Sequence, residues 1–260
     1  MNKFAIITGA SSGIGFELAH ICAREGFDLL LTARRENLLS SLQEDIEKKY
    51  GVSVDVFPLD FSLKDSPLKV FEFASKRGRN IDVLINNAGF GQFGYFKDTQ
   101  WEIEDQMIRL NISALVHLTK LVLPKMLDQR SGRIMNVSST AAFQPGPLMS
   151  VYYATKAFVE SFTEAISEEC SGTGVTITSL CPGPTISGFQ EAAGIEHIRL
   201  FKGRGIPSSK LVAEYGFKAM MTGKRVAIYG WMNRVMTFSV RFTPRRLLTK
   251  VVKWLQSERT

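Results

Sequence analysis

The sequence predicts a doubly wound α/β fold, in which one parallel sheet of seven strands carries helices on both faces. Three observations predict it. Apolar runs of strand length alternate with longer stretches whose apolar residues recur near period 3.6. The strand runs are apolar throughout rather than alternating, which marks burial on both faces. And the first strand–helix junction, Thr8-Gly9-Ala10-Ser11-Ser12-Gly13-Ile14-Gly15, is rich in glycine.

The elements follow in order. Residues 3–8 read as a first strand and 13–25 as its helix. Phe27 to Ala33 is a second apolar run, and 36–50 is helical, with Leu38, Leu39, Leu42, Ile46 and Tyr50 on one face. Val52 to Leu59 is a third strand ended by Pro58 and Asp60. Residues 65–77 form a helix and Ile81 to Asn86 a fourth strand. A long helix from Trp101 to Gln129 follows, with a kink expected at Pro124, which lacks an N–H and clashes one turn back. Arg133 to Val137 and Val175 to Leu180 are the fifth and sixth strands, flanking a helix at 152–170. Pro182-Gly183-Pro184 breaks the chain. Ile186 to Pro207 reads as a loop with short helical pieces, 208–222 as a helix, and Arg225 to Tyr229 as a seventh strand. Repeated β-α units of this kind imply right-handed crossovers.

Composition suits one globular unit with a large core. Of 260 residues, 45% are hydrophobic and 22% charged. No uninterrupted apolar run is long enough to span a membrane, so none is expected. The N-terminal residues enter a strand directly, without the apolar region or cleavage site of a secretory signal. Cys22, Cys170 and Cys181 are widely spaced and show neither a metal-ligand nor a disulfide pattern, so reduced thiols in a cytoplasmic protein and no metal site are expected.

Charge divides the chain. Arg199 to Thr260 holds 14 Lys and Arg against 2 Asp and Glu, whereas the remainder nets −5. Residues 1–230 read as one dinucleotide-binding and catalytic domain. Residues 231–260 read as a basic amphipathic extension of two helices broken near Pro244. Such helices pack on the body or on a second subunit, or make a weak contact with a membrane surface. No motif combines basic and aromatic residues as nucleic-acid binders do, so no nucleic acid is expected.

Glycines are costly in regular elements, so three at a strand–helix turn need a reason. First-turn amides of a helix lack partners, and the helix dipole adds positive charge there, which together favour a phosphate. The turn therefore reads as a pyrophosphate cradle, although its G-x-x-x-G-x-G spacing departs from G-x-G-x-x-G.

Tyr152 and Lys156 stand one helical turn apart where the helix at 152–170 begins. A close ammonium favours a phenolate, and lowering a tyrosine pKa by about three units takes about 4 kcal/mol. Ser138 and Ser139 end the fifth strand. The glycine turn, Asn86-Asn87-Ala88-Gly89 and Pro182-Gly183 end three others. In an open α/β sheet the ligand crevice lies at these carboxyl ends.

Together Thr8-Gly9-x-x-x-Gly13-x-Gly15, Asn86-Asn87-Ala88-Gly89, Asn111, Ser139, Tyr152-x-x-x-Lys156 and Pro182-Gly183 resemble the short-chain dehydrogenase/reductase family, over about residues 3 to 230. The resemblance implies a Rossmann-type fold and an oxidoreductase acting on a carbonyl or alcohol. It makes Tyr152 the general acid or base. Lys156 would lower its pKa and hold the nicotinamide ribose. Ser139 would orient the substrate oxygen, and Asn111 would hold a water feeding protons toward Lys156. Ser138 would turn into the fold. Gly9, Ser11, Ser12, Gly13, Ile14, Gly15, Asn87, Ala88, Gly89, Pro182 and Gly183 would line the cofactor. Asp60 would contact the adenine, with Phe61 beside the ring, and Thr185 would reach the carboxamide. Family habit also implies a homodimer or homotetramer built through helices 101–129 and 152–170.

After the second strand an acidic residue would accept from a ribose 2′-hydroxyl, and an arginine would bind a 2′-phosphate. Here Ala33 stands at the acidic position and Arg34-Arg35 follow, so NADP(H) is expected, with Arg34 the main contact and Arg35 the second. Phe90 to Tyr95, Ala141 to Met149 and Ile186 to Pro207 should set substrate choice. Their apolar residues, among them Phe93, Phe96, Phe143, Leu148 and Phe189, suit an apolar ketone, aldehyde or β-keto compound. The competing readings are a non-catalytic dinucleotide-binding sensor or scaffold and a peripheral membrane reductase anchored by the tail.

Overall fold

In the computed structural model, which describes residues 2–195, 198–199 and 205–257, the described residues form a seven-stranded sheet in the order β3-β2-β1-β4-β5-β6-β7. The strands are β1 (Phe4–Thr8), β2 (Asp28–Thr32), β3 (Val54–Val56), β4 (Val83–Asn86), β5 (Gly132–Val137), β6 (Val175–Cys181) and β7 (Val226–Ile228). Every neighbouring pair is parallel. The order reverses between β1 and β4, so the crevice of a doubly wound sheet opens above their carboxyl ends.

Helices α1 (Gly13–Arg24), α2 (Glu36–Tyr50) and α3 (Ser66–Ser75) connect the first strands. One face of the sheet packs against α1, α2 and α8 (Ser209–Met221) through a cluster that includes Leu18, Leu29, Leu31, Ile46 and Met220. The other packs through Ile6, Leu30, Leu84, Leu118 and Ile134 against α3, α5 (Leu115–Asp128) and α6 (Ser150–Glu169). β1 and β2 are buried at every position, which is why they read as unbroken apolar runs.

Two elements differ from expectation. β3 is shorter than Val52–Leu59, yet its pairing persists in part: Phe57 and Leu59 donate their N–H groups to Leu31 and Ala33 at 2.9 and 3.0 Å. Pro58 falls between them, at the position whose missing N–H faces away from β2, as an edge strand permits. The long helix is not interrupted at Pro124, which lies inside α5. Its departure from α geometry comes earlier, in a wide π turn at Arg109–Ala114 between α4 (Trp101–Ile108) and α5. Such turns widen a helix by one residue and often mark functional positions. The whole segment Trp101–Asp128 is also long and apolar enough to cross a membrane, which a search for unbroken apolar runs overlooks. In this fold Met107, Leu118, Val122 and Met126 are fully buried against the body.

Polar side chains run through the interior beneath the crevice. Asn86 Nδ2 donates to Thr119 Oγ1 and to Asn136 Oδ1, both at 2.9 Å. Asn136 Nδ2 in turn donates to Thr163 Oγ1 at 3.0 Å. Asn86 and Asn136 are register partners in adjacent strands, so the chain ties β4 and β5 to α5 and α6. Asn136→Ala strips one hydrogen bond from each neighbour, leaving Asn86 Nδ2 with Thr119 alone and Thr163 Oγ1 with only the Val159 carbonyl. It should lower stability by about 2–4 kcal/mol, read as a shift in the urea midpoint, whereas Asn136→Asp at low pH keeps the accepting oxygen and should cost less.

Candidate active site

Helix α6 carries the centre of the site on its buried polar face. Tyr152 and Lys156 are 8% and 6% exposed. Lys156 Nζ donates to the carbonyl of Val137 at 2.8 Å and lies 5.8 Å from the Tyr152 ring centroid. Ser139 follows β5 in extended backbone, at the start of a short 3-10 turn (Thr140–Phe143). Its Oγ accepts from the Ala141 N–H at 3.1 Å and donates to Pro182 O at 3.4 Å, and it also bonds the Tyr152 hydroxyl. Ser138 points the other way, donating to Lys156 O at 3.1 Å.

The electrostatics differ from expectation. Burial pushes the Tyr152 phenol well above its ordinary value near 10, and the Ser139 hydrogen bond recovers only part of that shift. Lys156 does not acidify it here. Its own burial pulls the ammonium down to about 8, and its nearest polar contact is the Val137 carbonyl. Desolvation of two buried groups outweighs their mutual attraction across this distance. The phenol is thus protonated at neutral pH, the state required to give a proton rather than take one.

The glycine turn sits across the crevice. Gly9 and Gly13 have φ of 67° and 59°, a region that favours glycine. Ser12 precedes α1 in extended backbone, and its hydroxyl caps none of the first-turn amides. With no acidic residue in that turn, the amides remain available to an anion. A Cβ on Gly9 would come within 2.8 Å of Asn87 Nδ2, so the turn needs glycine to meet the loop after β4. Asn87 Nδ2 donates to the carbonyls of Thr8 and Gly9 at 3.0 Å each. Thr8 Oγ1 accepts from the Asn87 and Ala88 N–H groups, also at 3.0 Å. Thr8 is thus the hidden tie between the two loops, legible only as the residue preceding the first glycine.

Arg35, not Arg34, reaches the turn: its Nη2 donates to Ser11 Oγ and Ser12 Oγ, both at 3.0 Å. Arg34 is exposed and makes no side-chain hydrogen bond or ion pair among the described residues. The N–H and hydroxyl of Ser62 both donate to Asp60 Oδ1 at 2.8 Å, while Phe61 is buried in the sheet core yet borders the crevice. Thr185 Oγ1 turns back to Gly183 O at 2.9 Å. Asn111 lies in the π turn. Its amide donates to Phe90 O and Thr155 Oγ1 at 3.0 Å, and Oδ1 accepts from the Phe90 N–H at 3.2 Å. Both amide protons are therefore used within the protein. Asn111 Oδ1 and Lys156 Nζ flank Gly89, 3.0 and 3.5 Å from where its Cβ would stand.

Gly9, Ser11, Ser12, Gly13, Arg34, Arg35, Asp60, Asn87, Ser139, Tyr152, Lys156, Gly183 and Thr185 line one cleft of about 870 Å³, together with Ile14, Ala88, Gly89 and Pro182, whereas Gly15 and the buried Asn111 lie behind its lining. Its far wall is apolar. Phe90, Met149 and Phe189, the last in α7 (Phe189–Ala193), stand there, with the Phe189 ring 5.3 Å from that of Tyr152. Phe96 is exposed and Phe143 lies outside the cleft lining. Two expected substrate segments are joined where Gly94 N–H donates to Leu148 O at 2.8 Å, with Leu148 held at φ 70°. The third, Ile186 to Pro207, lies partly outside the described residues.

The basic extension forms part of the same wall. Helix α9 (Trp231–Ser239) contributes Met236, and α10 (Arg245–Gln256) contributes Leu247, Leu248, Val251 and Val252. Gln256 Nε2 donates to the hydroxyl of Tyr153, beside the central tyrosine. No sequence signal marked Gln256 or Asn233, whose amide stands where a Cβ on Gly183 would fall.

The chain matches the family model described as short chain dehydrogenase over residues 3–196. It is a short-chain dehydrogenase/reductase. Members of this family are oxidoreductases that bind nicotinamide dinucleotides, act on small molecules and are commonly oligomeric. The chain is 37% identical over 179 residues to a very-long-chain 3-oxoacyl-CoA reductase of Laccaria bicolor, a match covering 68% of this chain and 53% of that protein. It is also 37% identical over 185 residues to the mouse 17-beta-hydroxysteroid dehydrogenase type 3, covering 70% of this chain and 60% of that one. The chain thus spans little more than half the length of these relatives. A short-chain dehydrogenase from Sphingobium yanoikuyae in complex with NADPH superposes with a TM-score of 0.82 at 28% identity, over 98% of each chain.

The lowered Lys156 value has a consequence for stability. Between pH 8 and 10.5 an unfolded lysine keeps a proton that the folded one has lost, so stability rises with pH in that window. Tyr152 opposes this only once an unfolded phenol ionises, above about pH 10. The stability difference between wild type and Lys156→Met should therefore move in favour of wild type by about 2 kcal/mol from pH 7 to 9.5. Urea titrations at the two pH values measure it, and parallel curves would show an unshifted ammonium.

Proposed function

We propose that this short-chain dehydrogenase reduces an apolar carbonyl compound with NADPH, with long-chain β-keto thioesters the first substrate class to test. The observation that carries the reading is the buried Tyr152–Lys156 pair on α6, set beside Ser139 in the cleft that the glycine turn closes at its other end. The residues fit a nicotinamide dinucleotide: uncapped amides at Gly13, Ile14 and Gly15 suit the pyrophosphate, and Arg35 with Ser11 and Ser12 suits a 2′-phosphate.

A bound NADPH supplies the hydride. Ser139 Oγ holds the substrate carbonyl oxygen beside the Tyr152 hydroxyl, which donates the proton as charge develops on that oxygen. Lys156, anchored by Val137 O, would hold the ribose and be the source from which the phenol regains its proton. Asn111 fixes the π turn, the loop at Phe90 and Thr155 on α6, and its Oδ1 keeps an acceptor site for a water near Lys156. The carboxylate of Asp60 has one oxygen left, which would accept from the adenine, and Asn87, Ala88 and Gly89 would border the adenosine. Gly183 and Thr185 would border the nicotinamide.

The apolar wall of Phe90, Met149, Phe189 and the tail helices favours an acyl chain or a fused-ring ketone. Both classes appear in the names of the relatives, a 3-oxoacyl-CoA reductase and a hydroxysteroid dehydrogenase. Three free, buried cysteines suit a reducing, cytoplasmic setting. A homodimer or homotetramer through α5 and α6 belongs to the same reading, and Phe158 is exposed on α6 for such a contact.

NADPH oxidation against aldehydes, diketones, 3-oxosteroids and β-ketoacyl thioesters tests the reading. Tyr152→Phe should lower kcat by about 10²–10⁴-fold, the usual contribution of a general acid. A folded wild type that binds NADPH and reduces none of the panel would favour the sensor alternative. Arg35→Ala should raise the KM for NADPH by about tenfold or more while leaving that for NADH nearly unchanged, and should do so more strongly than Arg34→Ala. Equal effects on both cofactors would remove the 2′-phosphate assignment.

A further inference from the structure

The tail helices have a second face that the cleft does not use. Along α9 and the turn after it, Asn233, Met236, Thr237 and Val240 face the body: Thr237 is buried, Met236 and Val240 line the cleft, and Asn233 abuts Gly183. At 3.6 residues per turn the opposite side carries Trp231, Val235, Phe238 and Phe242. All four are exposed, at 72%, 57%, 59% and 75%. Phe238 and Phe242 form an edge-to-face pair 5.4 Å apart. Single exposed apolar residues are ordinary, but an aromatic stripe along a helix is not.

Charge identifies what covers the stripe. Residues 231–257 contain Arg234, Arg241, Arg245, Arg246, Lys250 and Lys253 and no Asp or Glu. Arg241 lies over the Phe238 ring at 6.0 Å, so cation and aromatic share one surface. In a two-fold dimer through this face the cations of one copy would meet those of the other with no local carboxylate to offset them. An anionic bilayer matches both properties: aromatic rings enter the headgroup boundary while Arg and Lys stay with lipid phosphates.

We propose that α9 and the start of α10 dock the protein on an anionic membrane surface through Trp231, Val235, Phe238 and Phe242, with Arg241, Arg245 and Arg246 on the lipid headgroups. Docking there leaves the cleft's apolar wall, built from the opposite side of α9, one helix away from the bilayer. The proposal concerns binding and stands apart from the reaction assigned to the cleft.

The test is co-sedimentation of the full chain with vesicles of phosphatidylcholine alone or with one third phosphatidylglycerol. The anionic vesicles should bind at least about tenfold more tightly, and added salt should weaken the contact. Phe238→Ser/Phe242→Ser and, separately, Arg241→Glu/Arg245→Glu/Arg246→Glu should each abolish binding while retaining the wild-type melting temperature within a few degrees. Because the charge-reversal set lies wholly on the surface, it stays informative if the serine variant misfolds. Tryptophan emission should shift to the blue on anionic vesicles, and Trp231→Phe should remove most of that shift. Binding that ignores lipid charge, no binding by folded wild type, or variants that change the elution volume instead of vesicle binding would overturn the proposal, the last in favour of a second copy of this chain.

Discussion

The arrangement depends on one buried polar face. Tyr152, Thr155, Lys156, Glu160 and Thr163 all lie on α6 and are all buried. Each is tied to a different neighbour: Ser139, Asn111, Val137, the pair Ser179 and Cys181, and Asn136. A helix packed only by apolar contacts tolerates small axial shifts. One held by this series does not, because a slip of one residue leaves several buried polar groups unpaired at once. The register of α6 against β5 and β6 is therefore fixed to within a hydrogen bond, and with it the place of the phenol and the ammonium against Ser139 and Val137.

That fixed helix separates two halves of the cleft with different physics. The nucleotide half is a polar lattice in which Thr8, Asn87 and the glycine turn bond to one another through short loops. The other half is an apolar cluster drawn from distant segments: Met149 before α6, Ile195 and Ile198 after α7, and Leu248 and Val252 on α10. Apolar packing is non-directional, so this half can change shape with sequence while the polar half stays constant.

Burial also governs the acid–base behaviour. The same desolvation raises Tyr152 and lowers Lys156, leaving a protonated phenol beside an ammonium easily discharged. Neighbouring Glu160 is raised too, chiefly by burial, though Ser179 and Cys181 donate to it. A site dry enough to sharpen hydrogen bonds to a substrate is dry enough to penalise every charge in it.

Much of this was legible in the chain. The order of strands and helices, the glycine turn and the Tyr152–Lys156 spacing are local, set by backbone conformation and by periods of two and 3.6 residues, and α2 falls at the expected residues 36–50. What local pattern could not supply were contacts between segments far apart in sequence. Arg35 rather than Arg34 meets Ser11 and Ser12 because of how β2 ends beside β1, a difference of one residue that composition does not encode. The π turn at Asn111, which no local signal marked, is tied by bonds to Phe90 and Thr155. The direction of the Tyr152 shift required knowing how deeply both groups are buried. The sequence left open whether the extension past residue 230 packs on the body, and Gln256 on Tyr153 makes it a wall of the cleft. Sequence alone determined the fold and the chemical inventory, because these follow from near-neighbour conformation. Tertiary structure decided which of those groups meet and what charge they carry, because burial and long-range packing are properties of the whole chain.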